Sequence, residues 1–192
     1  MRLLANAAKI SPVHLSSCYP SIACHVKHRG FSKVAWQPSQ LAGLRLRVRT
    51  DADLTSLAGL WVASWRDAMP EIDFAARRAW FLDHLRALEA AGAITICAFD
   101  GLNRLLGFAT FDPATAYLDQ LAVEPEAKGT GAANLLLNEA RRLSPNGLVL
   151  DVNQDNARAL GFYEREGFAK TAEGVNPRSG LKTWRLRWPG NA

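Results

Sequence analysis

The stretch from Tyr117 to Ala132 reads as a strand up to Val123. It then turns through Glu124-Pro125 into Lys128-Gly129-Thr130-Gly131, where an apolar-periodic segment begins. A strand that enters a glycine-containing loop and opens a helix aims successive backbone N–H groups, and the positive end of the helix dipole, at one point. Such a point suits a phosphate, and glycines at 129 and 131 let an oxygen approach without meeting a Cβ. Spacing excludes two familiar nucleotide loops. No Gly-Lys-Ser/Thr follows, so this is not a Walker loop. Asp151 lies 20 residues past Gly131, where a dinucleotide fold keeps its ribose-binding acid. However, Asn134 replaces the third glycine, five residues separate strand from glycine, and the preceding chain reads as antiparallel strands.

Other candidates for chemistry are sparse. Alternation places Tyr117, Asp119 and Leu121 on one face of their strand and Leu118, Gln120 and Ala122 on the other, so Asp119 can face a cleft. Cys97 lies mid-strand, where a small buried thiol is expected, which disfavours cysteine-based hydrolysis. Cys18, Cys24, His25 and His28 match no common zinc spacing, and the adjacent Cys24-His25 pair is poorly placed to ligate together, so no metal is expected.

The elements that position these residues begin at Leu44. Leu44, Leu46 and Val48 alternate with Arg45, Arg47 and Arg49, a half-buried strand with a solvated basic face. Thr50 or Asp51 caps a helix that carries Leu54, Leu57, Leu60, Trp61 and Trp65 at helical spacing until Met69-Pro70. A second helix runs from about Asp73 to Ala91. Strands follow at Ala93 to Phe99, Leu105 to Phe111 and Tyr117 to Val123, joined by turn-forming Asp100-Gly101 and Asp112-Pro113. Gly129 to Leu143 is a helix, Leu148 to Val152 a strand and Ala157 to Glu166 a helix. Phe168 to Ala172 and Lys182 to Trp188 are the last two strands. The expected fold class is α/β (α+β): a mixed, mostly antiparallel sheet covered by helices.

The chain has 192 residues, 48% of them apolar and 21% charged, which suits one globular domain. No apolar run reaches the roughly 18 residues of a membrane span, and three cysteines make no disulfide scaffold. Residues 1–43 hold five basic side chains and no acid, leaving 18 basic and 18 acidic residues from Leu44 onward. A polyanion partner therefore rests on the tail alone, and neither nucleic acid nor membrane is expected as a partner. The 1–43 segment reads as a basic, disordered extension ahead of a 44–192 domain. Leu3 to Ala8 is too short for a secretory core, whereas an acid-free, serine-containing stretch also fits an organelle transit peptide. A cytoplasmic protein, monomer or homodimer, is expected.

Two motifs in order carry a resemblance. Leu121-Ala122-Val123-x-Pro125 followed by Gly129-x-Gly131-Ala132 resembles the acyl-CoA loop of the GNAT superfamily of N-acetyltransferases. Asn156, Ala159, Phe162-Tyr163 and Gly167-Phe168 are similar to that family's second segment, and the resemblance covers residues 44–188. It implies a sheet of about seven strands splayed between the fourth and fifth, with acetyl-CoA as co-substrate in the gap and an amine entering from the other side. The pyrophosphate would sit on the amides of Ala127, Lys128, Gly129, Thr130, Gly131 and Ala132. The pantetheine would pair with Leu121, Ala122 and Val123, helped by Asn156, which also suits a plain helix N-cap. Glu126 departs from the family's Gln/Arg, with Lys128 near enough to compensate.

The resemblance also implies roles. Tyr163 matches the tyrosine that protonates the departing CoA sulfur, and a phenol with an ordinary pKa near 10 is a suitable donor. Asp151 matches the position of a family general base; Asp119 is its rival, and both are also readable as strand-end carboxylates tied to backbone or arginine. The acceptor, a small-molecule or peptide amine, would meet Trp65, Arg77 and Arg178. A loop arginine there can clamp an acceptor carboxylate or phosphate, or simply be solvated. The competing reading is a catalytically weak CoA-binding sensor of the same fold.

Overall fold

The computed structural model describes residues 43–190. The readings made for the basic extension lie outside those residues. Seven strands form one sheet in the order β1-β2-β3-β4-β5-β7-β6. In chain order, β1 (Arg45–Val48) leads through a 3-10 turn into α1 (Leu54–Ala68), and a second such turn leads into α2 (Arg78–Ala90). Then come β2 (Ile94–Phe99), β3 (Leu105–Asp112), β4 (Tyr117–Val123), α3 (Ala132–Leu143), β5 (Leu148–Asn153), α4 (Ala157–Arg165), β6 (Ala169–Val175) and β7 (Lys182–Trp188). Every pairing is antiparallel except that of β4 with β5.

That exception shapes the molecule. β4 and β5 share a single paired position, Tyr117 with Val149, supported by the Val149 amide donating to the Ala116 carbonyl at 2.8 Å. Beyond it the strands part, so the sheet carries a wedge-shaped opening at its centre. Helices cover both faces. Phe108 of β3 belongs to the core cluster with Leu57, Trp61, Phe81 and Leu85 of α1 and α2. Its neighbour Gly107 lies under Leu136 of α3, and successive strand residues face opposite sides. Phe81 and Phe108 are fully buried, each worth about 1.5–3 kcal/mol of transfer free energy.

Some boundaries differ from the sequence reading. The second helix starts at Arg78 rather than Asp73, because residues 75–77 form a tighter 3-10 turn. The third starts at Ala132 rather than Gly129, since Gly131 is its left-handed cap. The basic face of β1 is not simply solvated either. Arg47 forks onto Asp53 at 2.6 and 2.8 Å, and Arg49 binds Glu89 through its Nε at 2.7 Å and Asp51 at 2.7 Å. The Arg47 guanidinium, helped by hydrogen bonds from Thr50, holds the carboxyl of Asp53 far below the ordinary range. Val48, expected inside, is 46% exposed at the strand's end.

Candidate active site

β4 does not alternate as its sequence pattern predicts. Leu118 pairs with Phe111 and Gln120 with Thr110, so Asp119 is an extra residue with no cross-strand partner. This is a β-bulge, which bends the strand, disrupts its ladder and re-aims side chains. As a result Asp119, Gln120 and Leu121 are all half-buried and all line the same cavity, where strict alternation would have sent Gln120 to the opposite face.

Two cavities flank the opening between β4 and β5. One, of about 500 Å³, is walled by α1, α2, β4, β5 and the β6–β7 loop. The other, of about 770 Å³, lies between the Ala127–Gly131 loop and α4. They share Ser64, Ala68, Leu121, Asn156, Ala159 and Tyr163 as lining residues, so a molecule reaching from one side meets a molecule from the other at those side chains. Tyr163 is 8% exposed, its ring set edge-on against Phe162 and Phe168 at 5.2 and 5.3 Å. Its hydroxyl makes no hydrogen bond among the described residues. Burial raises its proton affinity well above that of a free phenol, so it stays a donor at any physiological pH.

The larger cavity has the features of an anion cradle. Gly129 and Gly131 sit at φ +82° and +89°, and nothing lies within 4 Å of where either would carry a Cβ. The amides of Ala127, Lys128 and Thr130 turn inward to loop carbonyls, at 2.9, 3.4 and 3.3 Å. Those of Gly129, Gly131 and Ala132 donate to no other backbone group among the described residues, and they precede the first turn of α3. The site therefore fits a pyrophosphate, held by half of the six amides that the resemblance implied. Gly131→Ala would force a side chain into the left-handed region at a cost of about 1–2 kcal/mol. Calorimetry with coenzyme A is expected to show weaker binding for that variant, accompanied by a lower melting temperature.

The neighbouring charges differ from expectation. Glu126 is exposed and lines neither cavity, so Glu126→Gln is expected to leave coenzyme A affinity within about twofold in the same titration. Lys128 lines the larger cavity but does not answer Glu126. It pairs with Asp67, which also has Arg158 at 3.7 Å. Asn156, which lines both cavities, caps α4, its Oδ1 accepting from the Ala159 amide at 3.0 Å, while its Nδ2 has no partner among the described residues.

In the smaller cavity both strand carboxylates are engaged. Asp151 receives a forked pair from Arg185 at 3.0 and 2.9 Å and the Tyr117 hydroxyl at 3.0 Å. Accepting a proton there would break a bidentate ion pair. Asp119 is bonded by Gln120 Nε2 at 2.8 Å, and Gln120 in turn accepts from Trp61 Nε1 at 3.1 Å. The other partner of Asp119 is His84, whose Nε2 lies 3.0 Å away. His84 stacks on Trp80 at 4.9 Å, lines the cavity, and is half-buried. A carboxylate on one ring nitrogen leaves the other nitrogen of a neutral imidazole able to accept a proton.

Of the residues anticipated for the acceptor, Trp65 and Arg178 line the smaller cavity and Arg77 does not. His84, Trp80, Gln120 and Arg185 were not anticipated. The i, i+4 spacing of Trp80 and His84 on one helix was the available signal. Among the described residues no cluster of His, Cys, Asp and Glu is arranged to hold a metal, and burial pushes the Cys97 thiol up to about 12, away from nucleophilic use.

Residues 54–168 match the model of the acetyltransferase (GNAT) family. The chain belongs to that family. Over 55 residues it is 38% identical to a peptidyl-lysine N-acetyltransferase, YjaB, of Salmonella typhimurium, a match that spans 29% of this chain and 37% of the relative. The solution structure of apo YjaB from Escherichia coli superposes with a TM-score of 0.62 at 23% identity, over 77% of this chain and 99% of that one. A paia N-acetyltransferase from Thermoplasma acidophilum, solved with coenzyme A, gives 0.64 at 17% identity, over 76% and 98%. The splayed seven-strand sheet is thus the GNAT fold.

Proposed function

We propose that this GNAT protein moves the acetyl group of acetyl-CoA directly to a primary amine of a small molecule or peptide, without a covalent enzyme intermediate. The observation that carries the reading is the meeting of the two cavities at Tyr163. When bound, acetyl-CoA supplies an activated acyl carbon on a good leaving group. Gly129, Gly131 and Ala132 hold its pyrophosphate through backbone amides, and the parted edge of β4 along Leu121, Ala122 and Val123 takes its arm.

Acetyl transfer needs a neutral amine, charge stabilisation at the carbonyl oxygen and a proton for the leaving sulfur. His84, oriented by Asp119, accepts the amine proton in this reading. Tyr163 donates to the sulfur. Asp151 then serves to hold Tyr117 in the acceptor wall, itself fixed by Arg185 behind it.

Release of free thiol from acetyl-CoA, measured with a panel of amines and matched to N-acetyl product by mass spectrometry, tests the assignment. Amine-dependent thiol release with equal product is expected. Thermal stabilisation by coenzyme A without turnover on any amine would favour the sensor reading instead.

A further inference from the structure

Arg178 lines the acceptor cavity from the β6–β7 loop. Arg185 is forked onto Asp151, whereas the Arg178 side chain makes no ion pair or hydrogen bond among the described residues. Residues 1–42 contain no Asp or Glu that could supply a side-chain carboxylate. Its position is nonetheless fixed. Asn176 Oδ1 accepts from the amides of Arg178 and Ser179 at 2.9 and 3.2 Å, and the Gly180 amide returns to the Asn176 carbonyl at 2.8 Å. The loop so tied lays the guanidinium carbon 3.8 Å from the centroid of Trp80.

A guanidinium lying on an indole face keeps its N–H edge free for two parallel hydrogen bonds to a carboxylate. Arg77, set over Phe74 at 5.4 Å and likewise unpaired among the described residues, adds positive charge near Arg178. The cavity therefore carries the free guanidinium of Arg178 on its loop wall and the Asp119–His84 pair on its β4 and α2 walls. Trp80 touches both ends, at 3.8 Å from Arg178 and 4.9 Å from the imidazole, so the two groups lie about 10 Å apart or less.

Resting on the acetyl-transfer reading above, we propose that the acceptor is an amine that also carries a carboxylate, an amino acid whose carboxylate Arg178 clamps while its amine meets His84. The distance admits α-amino acids and longer chains up to an ω-amine. Polyamines, which would place a second cation beside Arg77 and Arg178, are poor acceptors.

The test compares kcat/KM for amino acids and for their carboxamides, with wild type, Arg178→Gln and Arg178→Lys. Wild type is expected to favour the acid over its carboxamide by about 10- to 100-fold, mostly through KM. In Arg178→Gln that ratio should collapse toward one, with partial recovery in Arg178→Lys. Equal use of acids and carboxamides by wild type, or a ratio that survives Arg178→Gln, would overturn the proposal. If no amine turns over, the acetyl-transfer reading fails separately, and calorimetric titration of the same pairs into the coenzyme A-bound protein decides the clamp. An Arg178-dependent preference for the acid supports it, and no preference sinks it.

Discussion

His84→Ala is expected to lower kcat/KM for the amine by about 10²- to 10³-fold, the usual worth of a positioned proton acceptor, or about 3–4 kcal/mol of transition-state stabilisation. His84 is half-buried, and its ring rests on Trp80 rather than inside the α1/α2 core, so the fold should survive its loss. Coenzyme A affinity should hardly change, because His84 lines only the acceptor cavity of the two. Asp119→Asn should produce a smaller loss of about tenfold, since it keeps the hydrogen bond but removes the charge that stabilises a protonated imidazole. Steady-state kinetics with saturating acetyl-CoA measure both. Activity within threefold of wild type in His84→Ala would remove His84 from the reaction.

Tyr163→Phe is the second large expected effect. The ring would keep its edge contacts with Phe162 and Phe168, and the missing hydroxyl bonds nothing among the described residues, so the melting temperature should stay close to that of wild type. Activity should fall about 10²-fold, with kcat and kcat/KM lowered together, as when an interaction made only in the transition state is lost. Burial holds the phenol protonated well beyond its ordinary range. Tyr163 therefore contributes no titration below pH 10, and wild-type activity should show no alkaline loss from it there. A variant that loses stability in proportion to activity would mean that Tyr163 only packs.

Much of this was legible in the residues. The order of strands and helices followed from period, caps and turns, because Leu136, Leu137 and Ala140 of α3, or Leu57, Leu60 and Trp61 of α1, are buried in the pattern their spacing predicts. The glycine loop was legible because positive φ at 129 and 131 demands glycine. The acceptor side was less so, and the reason is geometric. A bulge at Asp119 leaves no mark in the alternation of β4, yet it decides that Asp119 and Gln120 share a cavity. His84 lies 35 residues from Asp119 on another element, and nothing local in the sequence links them. Asp151 and Arg185 are opposite one another only through the register of β5 with β7, a long-range pairing. The arginines of β1, expected as a solvated face, find Asp53 and Glu89 for the same reason.

In the proposed reaction, protons leave the acceptor through His84 and Asp119 rather than through Asp151. The pH dependence of kcat/KM for the amine, recorded for wild type, His84→Ala and Asp151→Asn, addresses it most directly. Wild type and Asp151→Asn are expected to share the same acid-side limb, whereas His84→Ala is expected to lose this limb along with most of its activity. A profile in which Asp151→Asn abolishes the limb while His84→Ala retains it would contradict the account and return the role to the fifth strand.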